Sequence, residues 1–440
     1  MKRTLAALAL AASLIAIPAP ADAAASGTFD LLTYNIAGLP DLISSAETDR
    51  QSATTAIGQR LGPYEIVQVQ EDFNYHAYLY AADTTHPYRT PTSGGAGIGS
   101  GLNSLSTLAY DTDDFERGDW NSCQWDSGDC LTPKGFTFMR VRLAEGVYVD
   151  FYDLHTNAGT SSGDQASRAD NLNQLSAFLA THSAGNAVVV AGDTNTRYTR
   201  AADTIREFTA ANGLTDAWLK VERGGVAPAA GSEAMLCDAA AITDTCEVVD
   251  KVLYRSSRFV TLNATAYANE HLGFRTAGGL MLSDHFPIST AFSWSTNTNY
   301  EFSEQFGGPH GSYFNDIGAV AAGARATSIG IRAGSRVDQV SIALSGGVAL
   351  AHGGTGGTAR TLTLGATEYV TGAELCRAKY SGTTRIFFAK FTTNLGNSVA
   401  GGTTTSDCVT RTAPSGWQIA GFHGRTGGEV DKIGFIYTRR

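Results

Sequence analysis

The hydrophobic residues of the chain follow two successive patterns. Up to residue 296, short apolar runs such as FDLLTYNI, EIVQVQ and NAVVVAGD alternate with helix-like stretches at 164–183 and 201–212. This alternation predicts an α/β or α+β domain. Beyond residue 300, short apolar runs are separated by glycine and threonine turns and show almost no helical period. That second pattern predicts an all-β domain.

The glycine content supports a boundary between these two patterns, because about half of the 49 glycines lie after residue 300. A chain of 440 residues also has the length of two or three domains. The polar segment WSTNTNY separates the two parts and has the composition of a linker. We therefore predict a first domain at 24–296, a linker at 297–303 and a second domain at 304–440.

The first 23 residues have the three parts of a secretory signal peptide. A Lys-Arg pair at 2–3 precedes an apolar run over 5–17, and small residues surround the acidic residue at 22. The apolar run is shorter than the ~20 residues of a transmembrane helix. We predict cleavage after Ala23, a secreted, extracellular protein, and no transmembrane segment.

Export would place the six cysteines in an oxidising compartment, where an even number favours disulfides over metal thiolates. No CxxC pair or cluster of cysteine and histidine indicates zinc. Many pairings are possible. Spacing along the chain favours three disulfides: Cys123 with Cys130, Cys237 with Cys246, and Cys376 with Cys408.

The composition excludes a disordered chain, because 43% of the residues are hydrophobic and only 17% are charged. The net charge of −10 is concentrated before residue 301, since the last part has an excess of basic residues. An acidic first domain suits divalent cations and offers no broad basic surface for nucleic acid. A local groove in an acidic protein can still bind DNA, so a nuclease remains an alternative.

Polar residues that can perform chemistry recur where the apolar runs of the first domain end. They are Asn35, Glu71, His155, Asn157, Asp193, Asn195, Asp250, Asp284 and His285. Any one of them alone is more often a turn or helix cap. Capping does not require the whole ordered set, however, and such side chains at one rim of a sheet can hold a hard cation and surround a phosphate. Four further histidines have no such pattern and are expected to be surface or structural: His76, His86, His182 and His271.

The blocks YN, QE, DxHxN, GDxN, VDxV and SDH occur in this order over residues 28–295. In this they resemble the endonuclease/exonuclease/phosphatase superfamily, which includes pancreatic-type deoxyribonucleases, neutral sphingomyelinases and inositol phosphatases. The resemblance implies a four-layer α/β sandwich and a metal-dependent phosphodiesterase. A covalent nucleophile has no support, because the chain lacks a G-x-S-x-G elbow and its cysteines are expected to pair.

The resemblance also implies a metal site and a position for the attacking water. Glu71 and Asn35 would bind Mg²⁺, or another divalent cation, with Asp284 near the metal. Asp193 and Asn195 would contact the attacked phosphate and position or activate the water. A divalent cation that neutralises phosphate charge lowers the barrier to hydrolysis, and Mg²⁺ keeps several waters when few carboxylates bind it.

The two histidine blocks complete the implied site. His285 would act as general base or stabilise the transition state, with Asp250 orienting its imidazole. His155 would hydrogen-bond a phosphate oxygen or assist the leaving group, and Asn157 would join Asn35 in binding the phosphate. A histidine paired with a carboxylate is held in one tautomer and becomes more basic, which fits an acid–base mechanism with water as the nucleophile.

Several phrases resemble the sphingomyelinase branch of the superfamily: YNIAGLP, QEDF with the aromatic residues that follow it, SGGAGIGSG and KGFTFMRVRL. The block DLHTNA departs from that branch, which more often has a THLQA-like segment. We predict a sphingomyelinase C-like phospholipid hydrolase. A secreted deoxyribonuclease-like nuclease and a carbohydrate-binding protein with an inactive scaffold are the alternatives.

The segment 113–130 is the candidate for peripheral membrane contact. Trp120 and Trp125 flank a predicted disulfide loop there, and tryptophan favours the boundary between lipid and water. The alternative is that both indoles pack beneath the loop. The acidic residues of this segment argue against anionic lipid and are compatible with a zwitterionic headgroup such as phosphocholine.

The phrases FGGPHGSYFND, HGGTGGT and GFHGRTGGEVDKIGFIYT make residues 301–440 similar to the jacalin-like lectin family. The resemblance implies a β-prism of three sheets and a sugar site made by a Gly-Gly turn, Gly307-Gly308, and a GxxxD loop with Gly427, Gly428 and Asp431. Asp431 can accept hydrogen bonds from sugar hydroxyls, while glycines allow a close approach of the backbone. We predict glycan binding, with a structural spacer as the alternative; the sugar and the oligomeric state stay open.

Overall fold

The computed structural model describes residues 24–94, 98–125, 128–238 and 241–440. The predicted signal peptide lies outside these residues. No helix in the described part of the chain is both long and apolar enough to cross a bilayer.

The chain up to Thr296 contains strands and helices in alternation. The strands are β1 (Ser26–Asn35), β2 (Ile66–Gln70), β3 (Tyr88–Arg89), β4 (Asn103–Ser106), β5 (Glu116–Asp119), β6 (Gly135–Ala144), β7 (Val147–His155), β8 (Ala187–Asp193), β9 (Thr215–Asp216), β10 (Asp250–Arg255), β11 (Val260–Asn269) and β12 (Ile288–Thr296). The helices are α1 (Arg50–Gly58), α2 (His76–Ala82), α3 (Ser162–His182), α4 (Ile205–Asn212) and α5 (Ala217–Glu222).

These strands form two six-stranded sheets, with the orders β11-β12-β1-β2-β4-β3 and β5-β6-β7-β8-β10-β9. The pairs β1/β2 and β7/β8 are parallel, so the carboxyl ends of the two strands in each pair lie side by side. His155 is opposite Asp193 at the ends of β7 and β8, and Asp250 at the start of β10 is also opposite Asp193. Three of the predicted site residues therefore lie in one row across the second sheet.

The two sheets pack face to face and are covered by helices on their outer faces. Phe29 of β1 contacts Phe151 of β7 across the space between the sheets. The other face of the first sheet, which includes Leu32, packs with apolar residues of α1 and α2, including Ile57. Helix α3 covers the second sheet through buried leucines such as Leu175. The predicted four-layer α/β sandwich is confirmed.

Helix α3 is the longest helix of the described chain, and its boundaries follow from its sequence. Ser161 accepts a hydrogen bond from the backbone N–H of Asp164, whose side chain accepts one in return, which makes a capping box. Leu172, Leu175 and Leu179 recur at helical spacing and are buried. The helix therefore packs one apolar face onto the sheet that carries His155 and Asp193.

After residue 296 the structure is almost entirely β. Its strands are β13 (Tyr300–Phe302), β14 (Phe306–Gly307), β15 (Ser312–Asn315), β16 (Ala326–Ala333), β17 (Val337–Leu344), β18 (Ala349–Gly353), β19 (Thr358–Thr363), β20 (Val370–Tyr380), β21 (Thr383–Thr393), β22 (Ser398–Gly402), β23 (Asp407–Thr412), β24 (Trp417–Thr426) and β25 (Val430–Arg439). They form one five-stranded and two four-stranded sheets. The predicted all-β, three-sheet architecture is confirmed.

Three disulfides are present: Cys123–Cys130, Cys237–Cys246 and Cys376–Cys408. These are the pairs that the spacing favoured. The first closes a loop between β5 and β6, and the second closes a loop in the long connection between α5 and β10. The third joins opposite residues of β20 and β23 in the second part of the chain.

Ion pairs around the buried carboxylate of Asp114 join the two parts of the chain. Lys432 of β25 places its Nζ 3.0 Å from Oδ2 of Asp114 and 2.6 Å from Oδ2 of Asp111. Arg425 of β24 places Nη1 3.0 Å from Oδ1 of Asp114. Asp114 itself is only 1% exposed. The carboxylate of Asp114 is thus shared by two cations of the other part of the chain.

Replacement of Asp114 by alanine is expected to lower the free energy of unfolding by about 3 kcal/mol or more, because it leaves two poorly solvated cations short of a partner. Urea unfolding, followed by tryptophan fluorescence, measures the change. Asp407→Ala is the matched control, since Asp407 forms an exposed pair with Arg377 and such pairs contribute at most about 1 kcal/mol. Equal effects of the two substitutions would contradict the interpretation.

Candidate active site

The polar residues at the strand ends meet at one edge of the two sheets. Asp193, at the end of β8, is buried. The side-chain amide of Asn35, which ends β1 in the other sheet, donates to Oδ2 of Asp193 at 3.3 Å and to Oε1 of Glu71 at 3.1 Å. Nε2 of His155 lies 3.2 Å from the same Asp193 oxygen. One buried carboxylate therefore connects the two sheets at this edge.

His285 joins this cluster from the loop that precedes β12. Its Nδ1 lies 3.0 Å from Oδ2 of Asp250, and its Nε2 lies 3.7 Å from Oδ2 of Asp193. Because a carboxylate can only accept a hydrogen bond, Nδ1 carries a proton and donates it to Asp250. Nε2 thus points toward Asp193 and away from its orienting partner.

The charges of this cluster stabilise one another. Burial lowers the pKa of His285, but Asp250 and Asp193 outweigh burial and raise that pKa well above its ordinary value. Burial raises the pKa of Asp193, but His285 and His155 outweigh it, so the pKa of Asp193 falls below its ordinary value. The pKa of Asp250 is raised, mainly by burial and against the opposing effect of His285.

The residues at this edge include ligands suited to a hard divalent cation. Glu71 has a partly exposed carboxylate, and ligand atoms of Asp193, Asp250 and His285 lie within 4.8 Å of one another. Carboxylate and amide oxygens are the ligands that Mg²⁺ and Ca²⁺ prefer. Asn35 directs its N–H group toward Glu71, while its Oδ1 accepts from the backbone of residue 37. In this arrangement Asn35 orients the Glu71 carboxylate.

Two of the predicted residues lie at the margin of the cluster. Asp284 is exposed and accepts a hydrogen bond from Ser283 at 3.4 Å. Asn195 donates its backbone N–H to Oδ1 of Asp193 at 2.9 Å, and its side-chain amide donates to the carbonyl of Thr156. Asn195 therefore holds the Asp193 carboxylate from the side opposite Asn35.

Asn157 takes a different place from the one expected of a phosphate ligand. Its Oδ1 accepts from the backbone of Gln124, and its Nδ2 donates to Oδ1 of Asp164 at 3.1 Å and to the carbonyl of Ala158 at 2.7 Å. These bonds tie the Cys123–Cys130 loop to the start of α3. The structure does not bring the Asn157 side chain into contact with the carboxylate cluster.

The backbone around the cluster has unusual conformations. In the described part of the chain, four non-glycine residues have positive φ angles: Ala37, Glu71, Asn195 and Ser381. The first three lie at this edge of the sheets, and backbone strain of this kind concentrates at functional sites. Gly38 is required nearby, because a Cβ at this position would lie 2.1 Å from the carbonyl oxygen of Glu71.

A buried arginine that the sequence patterns did not single out holds two of the site loops together. Arg50 is fully buried. Its Nη1 donates to the carbonyl of Ile36 at 3.0 Å, and its Nη2 donates to the carbonyl of Leu282 at 2.7 Å. Arg50 therefore links the segment that follows β1 to the segment that carries His285. Nothing in the local sequence distinguishes Arg50 from a surface arginine at a helix start.

Arg168 of α3 has a similar role on the other side of the site. It donates to the carbonyl of Asn157 at 2.9 Å and to that of Gly159 at 3.0 Å, and it forms an ion pair with Asp203 at 2.6 Å. Asp203 also accepts from the backbone of Arg197. These bonds fix the loop after His155 against the loop after Asp193.

Two grooves flank His285. Each has a cavity volume of about 360 Å³, and the Cys237–Cys246 loop contributes to both, because Cys237 lines each of them. Leu280 and Met281 line one groove, and Leu236 lines the other. The second disulfide therefore braces a wall of the candidate active site.

Apolar side chains are exposed on several loops at this edge. They are Leu42, Ile43, Trp125, Leu236, Leu272 and Leu280. Trp125 is 71% exposed. Trp120 is instead packed against the core and donates its indole N–H to the carbonyl of His155 at 2.6 Å. The two tryptophans of the 113–130 segment thus differ, and only Trp125 is available to a membrane.

The four histidines expected to be surface or structural stay outside the cluster. His86 is buried and hydrogen-bonds Asp83 and the backbone of Tyr64. His182 stacks on Phe178 at the end of α3. The other two are His76, which contacts the ring of Tyr80, and His271, which hydrogen-bonds the backbone of Asn269.

A second candidate site lies in the last part of the chain. The backbone N–H of Gly308 donates to the carbonyl of Asp431 at 2.8 Å, and that of Gly427 donates to the carbonyl of Glu429 at 3.0 Å. Gly428 lies between Gly427 and Glu429 in the same loop. Oδ2 of Asp431 has no hydrogen-bond partner among the described residues. Oδ1 of Asp431 pairs at 2.8 Å with Arg385, a partner that the motif did not reveal.

Two protein-family models match the chain, one for each of the two regions described above. Residues 41–230 match the model of Endonuclease/Exonuclease/phosphatase family 2, and residues 303–436 match the model of the Jacalin-like lectin domain. The chain therefore has a region that matches the endonuclease/exonuclease/phosphatase family, followed by a region that matches the jacalin-like lectin domain.

Among proteins of known name, the chain is similar to sphingomyelinases of Mycobacterium bovis and Mycobacterium tuberculosis. It is 41% identical to each over 276 residues, which is 61% of this chain and 53% of the relative. The chain thus spans about half the length of these relatives.

Among solved structures, the chain resembles sphingomyelinase C from Streptomyces griseocarneus, with 19% identity and a TM-score of 0.42 over 60% of this chain and 99% of the other. A Staphylococcus aureus beta toxin with bound magnesium ions has 14% identity, a TM-score of 0.42 and the same coverage. Malaysian banana lectin has 27% identity and a TM-score of 0.29 over 32% of this chain and 98% of the lectin.

The charge arrangement predicts the titration of His285. In the protein with EDTA, NMR is expected to show the His285 imidazole still protonated above pH 6.5, the ordinary value for histidine, and Asp250→Asn is expected to lower its pKa. Since the folded-state pKa exceeds the unfolded value, the pair stabilises the fold fully below pH ~6.5. That stability is lost as the pH rises through the folded-state pKa.

A His285 pKa at or below 6.5, the ordinary value for histidine, would contradict the assignment of His285 as an imidazole that its carboxylate neighbours keep charged.

Proposed function

We propose that the first domain is a metal-dependent phosphodiesterase that hydrolyses sphingomyelin-type phospholipids. The observation that carries the proposal is the meeting of Asn35, Glu71, Asp193 and the His285–Asp250 pair at one edge of two sheets. Hydrolysis of a phosphodiester needs a base or charged stabiliser beside a group that binds phosphate. The 41% identity to named sphingomyelinases supports the substrate class.

In this proposal, residues of the chain position a water for attack on phosphorus. Asp193, held by Asn35 and the backbone of Asn195, faces Nε2 of His285. These groups orient the water, and the His285 imidazole, whose raised pKa keeps it charged, stabilises the negative charge that develops on the phosphate. Asp250 keeps the His285 ring in one tautomer.

His155 lies on the other side of Asp193. In the proposal its Nε2–H, which faces Asp193 in the free protein, donates to a phosphate oxygen or assists the departing alkoxide when substrate is bound, as a positioned imidazole can do. Asn157 does not contact the phosphate in this proposal. Its side chain instead holds the loop that follows His155 in place.

The residues present fit a divalent cation such as Mg²⁺. Glu71 would hold the cation, and Asn35 would orient the Glu71 carboxylate. The exposed Asp284, next to His285 in the chain, would lie near the cation. The fit rests on the chemistry of the carboxylate oxygens, which are ligands that a hard divalent cation prefers. The cation would stabilise negative charge that develops on the phosphate oxygens.

The surroundings of the site favour a lipid over a nucleic acid. Exposed apolar side chains, including Leu42, Leu280 and Trp125, lie on loops at the site edge. Arginines of the same region are engaged within the protein: Arg50 and Arg168 are buried, and Arg197 donates to the backbone of Glu247. An apolar rim suits an aggregated lipid substrate, whereas a nuclease needs free cations along several phosphates.

The lectin domain is proposed to bind glycans and thereby to keep the enzyme near a glycosylated surface. Asp431 offers an acceptor oxygen, and Gly308 and Gly427 lie beside it without side chains that would obstruct a sugar ring. Such tethering raises the local concentration of the catalytic domain at the membrane. Secretion is part of the proposal and rests on the signal-peptide pattern together with three disulfides.

The proposed activity is tested with sphingomyelin liposomes and with plasmid DNA, each in Mg²⁺ and in EDTA. The expected result is release of phosphocholine that EDTA abolishes, with the plasmid intact. His285→Ala is expected to lower the rate about 1,000-fold, because it removes the charged imidazole that stabilises the transition state.

His271→Ala is the matched control and is expected to keep its activity, since His271 lies outside the cluster. Nicking of the plasmid with intact lipid would favour the nuclease alternative. Inactivity on both substrates would overturn the lipid proposal and favour an inactive scaffold or another phosphodiester.

The lectin proposal predicts that Asp431→Asn loses retention on immobilised neutral monosaccharides, because the amide replaces one acceptor oxygen with a donor. Hydrolysis of a soluble phosphodiester is expected to be unchanged. Asp407→Asn, which changes an exposed carboxylate elsewhere in the domain, is expected to keep its retention. Joint loss of sugar binding and hydrolysis in Asp431→Asn would contradict a separate sugar site.

A further inference from the structure

Polar side chains are buried in the space between the two sheets of the first domain, directly behind the candidate active site. Gln68 and Gln70 of β2, Ser104 of β4 and Asp153 of β7 each have an exposed fraction of 1% or less. Farther from the site edge, this space is filled by apolar side chains such as Phe29. The functions proposed above leave these four polar side chains unexplained.

The strand register brings these side chains together. Gln68 is opposite Thr33 of β1 on one side and Ser104 of β4 on the other. Because side chains alternate along a strand, Gln68 and Gln70 point to the same face of the sheet. Nε2 of Gln70 donates to Oδ1 of Asp153 at 2.7 Å, and this bond shows that the face is the one that meets the second sheet.

Several polar atoms of this group lack a hydrogen-bond partner among the described residues. They are Oε1 and Nε2 of Gln68, Oε1 of Gln70, Oγ of Ser104, Oδ2 of Asp153 and Nδ1 of His155. Buried polar atoms in native proteins are almost always satisfied, either by protein or by ordered water. A buried water typically makes two to four hydrogen bonds, and this group offers both donors and acceptors for them.

The group reaches the candidate active site through His155. Asp153 and His155 are two residues apart in β7, so their side chains share one face of the strand. Nε2 of His155 lies 3.2 Å from the Asp193 carboxylate, which only accepts hydrogen bonds, so Nε2 carries a proton. When Nε2 carries the only ring proton, Nδ1 is an acceptor and needs a hydrogen-bond donor in the space between the sheets.

A cation is a poor occupant of this space. The guanidinium of Arg117 acts on Asp153 and opposes the rise in the pKa of Asp153 that burial causes. Arg117 therefore already supplies positive charge that acts on Asp153, the only carboxylate among these four side chains. A neutral molecule that both donates and accepts hydrogen bonds matches the remaining atoms better.

We propose that the space between Gln68, Gln70, Ser104 and Asp153 is a binding site for ordered water, and that this water donates to Nδ1 of His155 and, together with Asp193 at Nε2, fixes its tautomer. The part that concerns turnover rests on the phosphodiesterase function proposed above. Gln68 and Asp153 are positioning residues in this scheme, because they act on the phosphate only through His155.

The first test is direct observation of the water. A high-resolution crystal structure of the full chain is expected to show a water within hydrogen-bond distance of Nδ1 of His155 and of at least one of Gln68, Ser104 and Asp153. The ¹⁵N chemical shifts of His155 are expected to report a proton on Nε2 and an Nδ1 that accepts a hydrogen bond. Absence of the water, or a ring protonated at Nδ1, would overturn the proposal.

The second test uses variants with matched shape. Gln68→Met removes both polar atoms of Gln68 without a large change in volume, and it is expected to mix the His155 tautomers in the ¹⁵N spectrum. It is also expected to lower kcat on sphingomyelin liposomes about tenfold, within the range of acid–base contributions, with KM nearly unchanged. Asp153→Leu is expected to act in the same way, whereas Asp153→Asn, which keeps a polar group in place, is expected to restore most of the rate.

Thr290→Val is the control for these substitutions. Thr290 of β12 is buried, and its hydroxyl also lacks a partner among the described residues, but it lies outside the group around His155. It is expected to leave the His155 spectrum and kcat unchanged. A folded Gln68→Met variant with unaltered His155 shifts would overturn the proposal. The density and the spectra need no turnover, so they decide it even if the chain proves inactive on every phosphodiester.

Discussion

The buried carboxylate of Asp193 is the interaction on which the candidate site depends. It accepts a hydrogen bond from Asn35 of the opposite sheet, lies beside His155 of the neighbouring strand and faces His285 from a separate loop. A charge at this depth is tolerated only with such partners. The two sheets must therefore close in one register before the site exists, and the arginines that tie the site loops together preserve that closure.

Much of the fold and of the site could be predicted from the sequence, because the relevant signals are local. A polar residue that directly follows an apolar run, as Asp193 does, marks the end of a buried strand. Helix α3 shows its capping box and its leucine period within about twenty residues. Two cysteines only seven or nine positions apart are readily predicted to form a disulfide with each other. The ordered blocks also led to the family, which the matches to both domain models confirm.

The remaining features depend on contacts between distant segments, and no local pattern reports them. Arg50 binds a carbonyl more than 200 positions away, and the bond from Gln70 to Asp153 exists only because two sheets face each other. A motif identifies a residue but not the direction in which its side chain points. The sequence therefore could not show that Asn157 and Trp120 support loops. The left-handed backbone of Glu71 was equally invisible, since its sequence neighbours are not those of a tight turn.

Lys432 and Arg425 both form ion pairs with Asp114, and this arrangement has an evolutionary consequence. Lys432 directly follows Asp431, the acceptor of the candidate sugar site, so the residue that docks the two parts of the chain is adjacent to the one proposed to bind the ligand. Exchange of the lectin for an unrelated carbohydrate module would remove both cationic partners of Asp114 at once. The two domains are therefore expected to vary together among descendants of this architecture, with changes at Asp114 accompanied by changes in β24 and β25.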